Sequence, residues 1–201
     1  MNWKDVPLPE KMLALPKDAR GFSVPFIVAC DETGKPQFTV NDRAKVMHAL
    51  TNGLCGICGQ GIPMNDVWLV GGPQSAFHPQ GAYIDGPLHG DCARYALQVC
   101  PYLAVSNVKY RSAIDAERLS GRFKDTTILI DPTVDPDRPK LFALVRITGL
   151  SMTPNGYLVP DRPYPDAEYW NGGQRLDEAE ALEVLASLGL TPCVVRRGVT
   201  P

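Results

Sequence analysis

The sequence predicts an α+β fold of short antiparallel strands with two main amphipathic helices. Eighteen glycines and nineteen prolines among 201 residues break the chain into short elements. Runs rich in β-branched and aliphatic residues recur at strand length, as in 22–30, Val67–Val70 and Leu141–Thr148. Two segments, 89–99 and 176–188, instead repeat their apolar residues at helical spacing. Apolar residues at 44% and charged residues at 21% are close to globular averages, so a buried core is expected.

Residues 1–20 hold Pro7, Pro9 and Pro16 and read as an extended arm with a short turn around Lys11–Leu15. A first hairpin follows, with strands over 22–30 and Gln37–Val40 joined by the turn Asp31–Pro36. Asn41 or Asp42 caps a helix over 43–51, which Asn52-Gly53 closes. Val67–Val70 is a strand, Gly71–Ser75 a turn and Ala82–Ile84 a return strand, which together make a second hairpin. Helix 89–99 sets Ala93, Ala96, Leu97 and Cys100 on one side and stops near Pro101.

The C-terminal half reads as strands at Thr126–Ile130 and Leu141–Thr148, separated by the polar loop Asp131–Pro139. Asn155-Gly156 is a turn signal, with Tyr157–Val159 as the partner strand. Helix 176–188 carries Asp177, Glu178 and Glu180 in its first turn, where the macrodipole favours acids, and Gly189 at its end. Cys193–Val195 reads as a last strand. The segments are an arm (1–20), a central domain (21–105) and a C-terminal α+β region (106–201). Their soft boundary falls within 104–125, unless that stretch continues a helix.

Charge narrows function. The formal net charge is −2 and the pI about 5.9, whereas a protein that grips duplex DNA normally carries a basic excess. Nucleic acid is therefore a disfavoured partner. Met1–Asp5 has no apolar stretch behind it of the kind a secretory signal needs. The apolar run Val24–Cys30 is far short of the ~20 residues that span a bilayer. A cytoplasmic, membrane-free protein is expected, with its six cysteines as metal ligands and buried thiols rather than disulfides.

Cys55-Gly56-Ile57-Cys58-Gly59 is a CxxC knuckle, whose glycines let the backbone turn tightly and aim amides at sulfur. His89-Gly90-Asp91-Cys92 follows at the start of helix 89–99. Ligands at i and i+3 share one helix face. Three thiolates and one imidazole complete a tetrahedral zinc site and leave no open position. A redox CxxC would need a thioredoxin-like βαβ context that is absent. Cys100 stands eight residues beyond Cys92, about 12 Å along a helix. It therefore cannot share that ion, and it reads, like Cys30 and Cys193, as a buried small hydrophobe.

A knuckle, a hairpin and then a helix bearing the second ligand pair resembles a treble clef over residues 55–99. HNH nucleases, zinc-ribbon-like adaptors and ribosomal proteins share that fold. The motifs Leu54–Gly59, Pro87–Ala93 and Cys100–Leu103 also look similar to those of uncharacterised phage and actinobacterial proteins. These likenesses imply one structural zinc and a phage accessory or host-modulating protein that binds another protein in the host cytoplasm. An HNH-type nuclease would use His78, with Asp85 as a companion on a second divalent metal. Here His78 follows Phe77 rather than Asp, no Asn lies between 78 and 89, and the second pair is HxxC. His78 then reads as a plain loop residue.

Other features have simpler readings. Gly71–Ser75 could cradle a phosphate, but no GKS/T follows it. His48 lies on a predicted helix with no catalytic companion. Arg94, Lys109, Arg111, Arg118, Arg122 and Lys124 make a local basic excess, with Tyr95, Tyr102 and Tyr110 as stacking groups if a single strand binds. Asp115, Glu117 and Asp125 dilute it. The loop Pro163–Gly173 offers Tyr164, Tyr169 and Trp170 as a recognition surface, unless Tyr169 and Trp170 pack beneath the C-terminal helix.

Overall fold

The turn Asp31–Lys35 is built by one carboxylate, since Asp31 accepts from the amides of Thr33 and Lys35 and from the Thr33 hydroxyl. It joins β1 (Val28–Cys30) to β2 (Pro36–Asn41) as the predicted hairpin. This computed structural model describes residues 3–104 and 139–195. The predicted strand Thr126–Ile130 and most of the basic stretch lie outside the described residues.

Asp42 caps α1 (Arg43–Asn52) by accepting from the amides of Ala44 and Lys45, and Gly53 ends it at φ 62°. Then come β3 (Trp68–Gly71), α2 (Pro73–Phe77), α3 (Gly90–Val99) and α4 (Pro101–Ala104). The second half supplies β4 (Phe142–Arg146), β5 (Leu150–Met152), β6 (Leu158–Pro160), β7 (Asp166–Asn171), β8 (Gln174–Arg175) and α5 (Glu178–Ser187). The α+β expectation holds. Asp177 and Glu180 form a capping box on α5.

Several elements differ from expectation. Pro73 at the first helical position turns Gly71–Ser75 from a plain turn into the entry of α2. Ala82–Ile84 does not return along β3. Tyr83 bridges to Leu158, and β3 pairs antiparallel with β4, so the order in the main sheet is β3-β4-β7-β8. The expected second hairpin does not form; Trp68 instead bridges Leu88, with mutual bonds of 3.0 and 2.9 Å. Pro163–Gly173 is mostly strand, and Tyr169 and Trp170 are each 7% exposed, so they offer no recognition surface. Cys193–Val195 makes a single parallel bridge to Tyr164 instead of a strand.

Strand alternation divides the interior in two. Ala143 and Val145 of β4, with Leu69 and Tyr169, face a core completed by Phe77, Tyr164, Ala181 and Leu185. Phe142 and Leu144, with Trp68 and Trp170, face the opposite side, where Cys55, Cys58, Cys92 and Leu97 lie. Both faces of β4 are covered, which explains why its sequence is an unbroken apolar run.

The first core holds tyrosines whose burial raises their pKa. That of Tyr169 is pushed up to about 12 from an ordinary 10.0, and Tyr83 and Tyr164 move the same way. A folded-state pKa above the unfolded one means stability that is complete below pH 10 and lost as pH rises towards 12. The urea midpoint should therefore stay flat up to pH 10 and fall beyond it, with tyrosinate absorbance rising in step with unfolding. Full ionisation near pH 10 with the fold intact would refute this assignment.

Candidate metal centre

The loop after α1 delivers the knuckle. Leu54 bridges to Gly61, and the amides of Phe26 and Ile27 donate to the carbonyls of Ile57 and Gly56 at 2.8 and 3.0 Å. Gly59 holds φ 73° with Phe26 packed where a side chain would stand. Gly56 serves differently, because a Cβ there would press on Ile27 at 3.1 Å. The second ligand pair comes from the start of α3, where His89 is the cap residue. Gly90 lets the helix begin directly under Trp68 and Arg94, whose atoms lie 2.8 and 2.9 Å from any added Cβ.

These elements bring Cys55, Cys58, His89 and Cys92 together, with their ligand atoms all within 4.8 Å of one another. All four are buried, between 0% and 8% exposed. A tetrahedral zinc with three thiolates and an imidazole places neighbouring ligand atoms roughly 3.6–3.8 Å apart. The Cys58 Sγ to His89 Nδ1 distance is 3.3 Å, so the donor set and its spacing fit such an ion. His89 Nε2 lies 3.0 Å from the Gly61 carbonyl. That contact keeps the Nε2 proton and leaves Nδ1 as the ligand atom.

Sulfur receives the expected amide help, though not from the knuckle glycines. The His89 amide donates to Cys55 Sγ at 3.4 Å, the Cys58 amide also serves Cys55, and the Gln60 amide serves Cys58. Thiol hydrogen bonds from Cys58 and Cys92, with these amides, drive the Cys55 thiol far below its ordinary range. Cys58 and Cys92 move up, first because each shares its proton with Cys55. A divalent cation held by these sulfurs would displace their remaining protons.

The other candidate residues do not join this cluster. His78 ends α2, and its Nδ1 accepts from the Gln80 amide at 3.1 Å. Asp85 accepts from the Asn41 side chain on β2. Cys100 caps the end of α3, and burial raises its thiol pKa. Cys30, at the end of β1, is exposed, and Cys100 and Cys193 are half-buried, so the buried role expected of these three holds only in part.

Sequence reasoning missed two supports. Met12 is 2% exposed and packs among the ligands, while Lys11 Nζ pairs with Asp91 Oδ2 at 2.9 Å. The N-terminal arm therefore lies over the centre. Burial would raise the Asp91 pKa, but Lys11 and the Cys92 amide hold it below the ordinary carboxylate value. The second support is an ion pair whose carboxylate is buried and whose guanidinium is half-buried. Arg94 Nη2 and Nε both bond Glu168 Oε1, at 2.7 and 2.9 Å, and Arg94 lies 4.9 Å over the Trp68 ring. Trp170 Nε1 donates to Glu168 Oε2 at 3.3 Å. Its only sequence signal is a carboxylate amid apolar and aromatic neighbours in 167–170.

No helix among the described residues is long and apolar enough to cross a membrane. Comparison with family models, curated proteins and solved structures returned no match, so the site is read from its own chemistry.

Proposed function

We propose that Cys55, Cys58, His89 and Cys92 hold one structural zinc ion, and that the chain acts by binding another protein through a surface this ion fixes. The observation that carries the reading is the buried set of three sulfurs and one nitrogen. Four protein ligands complete a tetrahedral zinc, so the ion stabilises and takes no substrate. A phage accessory protein engaging a host protein is the setting suggested by the sequence resemblance. A knuckle followed by a helix N-terminus supports the treble-clef likeness, whereas the hairpin expected between them does not form, because β3 pairs with β4.

The test compares wild-type and Cys92→Ser chains for zinc content and for capture of a defined protein from a bacterial lysate. One zinc per wild-type chain, with capture lost in the mutant, supports the reading. Absence of zinc after chelator-free purification overturns it.

The nuclease alternative is decided by incubating plasmid DNA with the chain and magnesium or manganese. Cleavage is expected to be absent in wild type and in His78→Ala alike. Cleavage by wild type that His78→Ala abolishes, with zinc retained, would replace the interaction reading with the enzymatic one. Binding to single-stranded DNA at two salt concentrations tests the remaining class, and little affinity even at low salt is expected.

A further inference from the structure

Two large apolar side chains that remain exposed, Met64 at 84% and Met152 at 50%, border one groove of about 410 Å³. Met47 and Leu50 of α1, Pro87 and the run 147–152 complete its walls, and none of its lining residues is ionisable. Exposed methionines are adaptable contact residues and are common on binding surfaces.

The same groove borders an unfilled strand edge. The Thr153 amide donates to the Tyr157 carbonyl, and the Asp161 amide donates to the Gly149 carbonyl. Antiparallel alternation therefore makes Ser151–Val159 the bonded pair between them and directs the amides and carbonyls of Leu150 and Met152 away from β6. Two facts agree with this. Leu158, opposite Met152, spends its own amide and carbonyl on Tyr83, and Pro160, opposite Leu150, has no amide to give. Among the described residues, no strand pairs with the outer edge of β5.

Charge completes the picture. Arg43 Nη2 bonds Met152 Sδ at 3.6 Å and the Gly156 carbonyl at 2.9 Å, while Nη1 is buried without an acceptor, so an incoming acid meets this guanidinium through its Nη2 side. Among the described residues, no carboxylate pairs with this guanidinium.

We propose that an extended segment of a partner protein adds to the β5 edge as a further strand, seating an uncharged apolar side chain in the groove and a carboxylate against Arg43. The proposal rests on the interaction reading above and specifies its partner surface. Backbone bonding to Leu150 and Met152 supplies affinity, and the groove supplies selectivity. A second copy fits less well. Its own Leu150-Ser151-Met152 edge brings no carboxylate to Arg43, and so short an edge falls far below the ~800 Å² per partner of a stable interface.

The test is selection of a random heptapeptide display library on the zinc-loaded full chain, followed by fluorescence anisotropy with the synthesised winners. Met152→Pro removes an outward amide while leaving the Ser151–Val159 pair intact. Met64→Glu places a charge over the groove at a position exposed enough to leave folding unchanged. Expected winners alternate apolar residues, include Asp or Glu, and lose about tenfold or more in affinity on both variants. Arg43→Gln should remove their preference for the acid.

Peptides that bind all variants equally would overturn the β5 site while leaving the interaction reading intact. Failure to enrich any peptide would also overturn it, and lysate capture then judges the broader reading separately. A dimer seen by sedimentation and dissolved by Met152→Pro would assign the edge to a second copy, which likewise overturns the proposal.

Discussion

The Cys92→Ser chain is expected to purify with little zinc and to lose its cooperative thermal transition near the wild-type temperature. Cys92 is fully buried and lies in one cluster with Cys55, Cys58, Leu97 and Trp68. Serine preserves the size of the side chain and removes the thiolate, so the effect reports ligation rather than packing. A structural zinc of this type contributes about 10 kcal/mol or more, comparable to the whole stability of an ordinary domain. Even partial loss, several kcal/mol, moves the melting temperature by on the order of 10 °C. Strong chelation of wild type should reproduce the mutant's melt, and added zinc should reverse it. A mutant that keeps one zinc per chain and melts as wild type would remove Cys92 from the ligand set.

Arg94→Met is expected to cost about 2–3 kcal/mol, at or below the roughly 3–5 kcal/mol of breaking a fully buried ion pair by removing one partner, because Arg94 is half-exposed. The reason is asymmetric burial. The Arg94 side chain is 38% exposed, while that of Glu168 is 6% exposed, so the carboxylate is the group left stranded. Trp170 still donates to it, and Arg175 stands 3.8 Å away, which moderates the loss. Methionine keeps the aliphatic stem against Trp68, so the change isolates the charge. Chemical denaturation would measure it, with zinc content expected to stay at the wild-type level. The double variant Arg94→Met/Glu168→Leu should recover most of the stability, because neither charge is then buried alone. A single variant as stable as wild type would show that solvent already shares this pair.

How far the ligands could be read from sequence follows from their local encoding. CxxC and HxxC each bring two ligands together through one turn of backbone, and only the meeting of the two halves needed the fold. The same locality made the Asp42 cap, the Asp31 turn and the Asn155-Gly156 turn readable, since each acts over a few residues, whereas Asp177, read as a first-turn acid, proved to be the cap itself. Strand pairing is different. Val67–Val70 carries no mark that its partner is Phe142–Arg146, far along the chain, and not Ala82–Ile84 nearby. Nearness in sequence suggested a hairpin, whereas burial of both faces of β4 selected the long-range pair.

By itself, then, the sequence determined the four clustered Cys and His residues, the start and stop of α1 and the turns, because their chemistry is satisfied within a few residues. The tertiary structure alone decided which strand lies beside which and which aromatic residues are hidden. It also decided that Arg94 meets Glu168, that the N-terminal arm covers the metal ligands, and that β5 keeps an open edge. Each of these is settled by how surfaces from distant segments exclude water together, and no short stretch of residues carries that information.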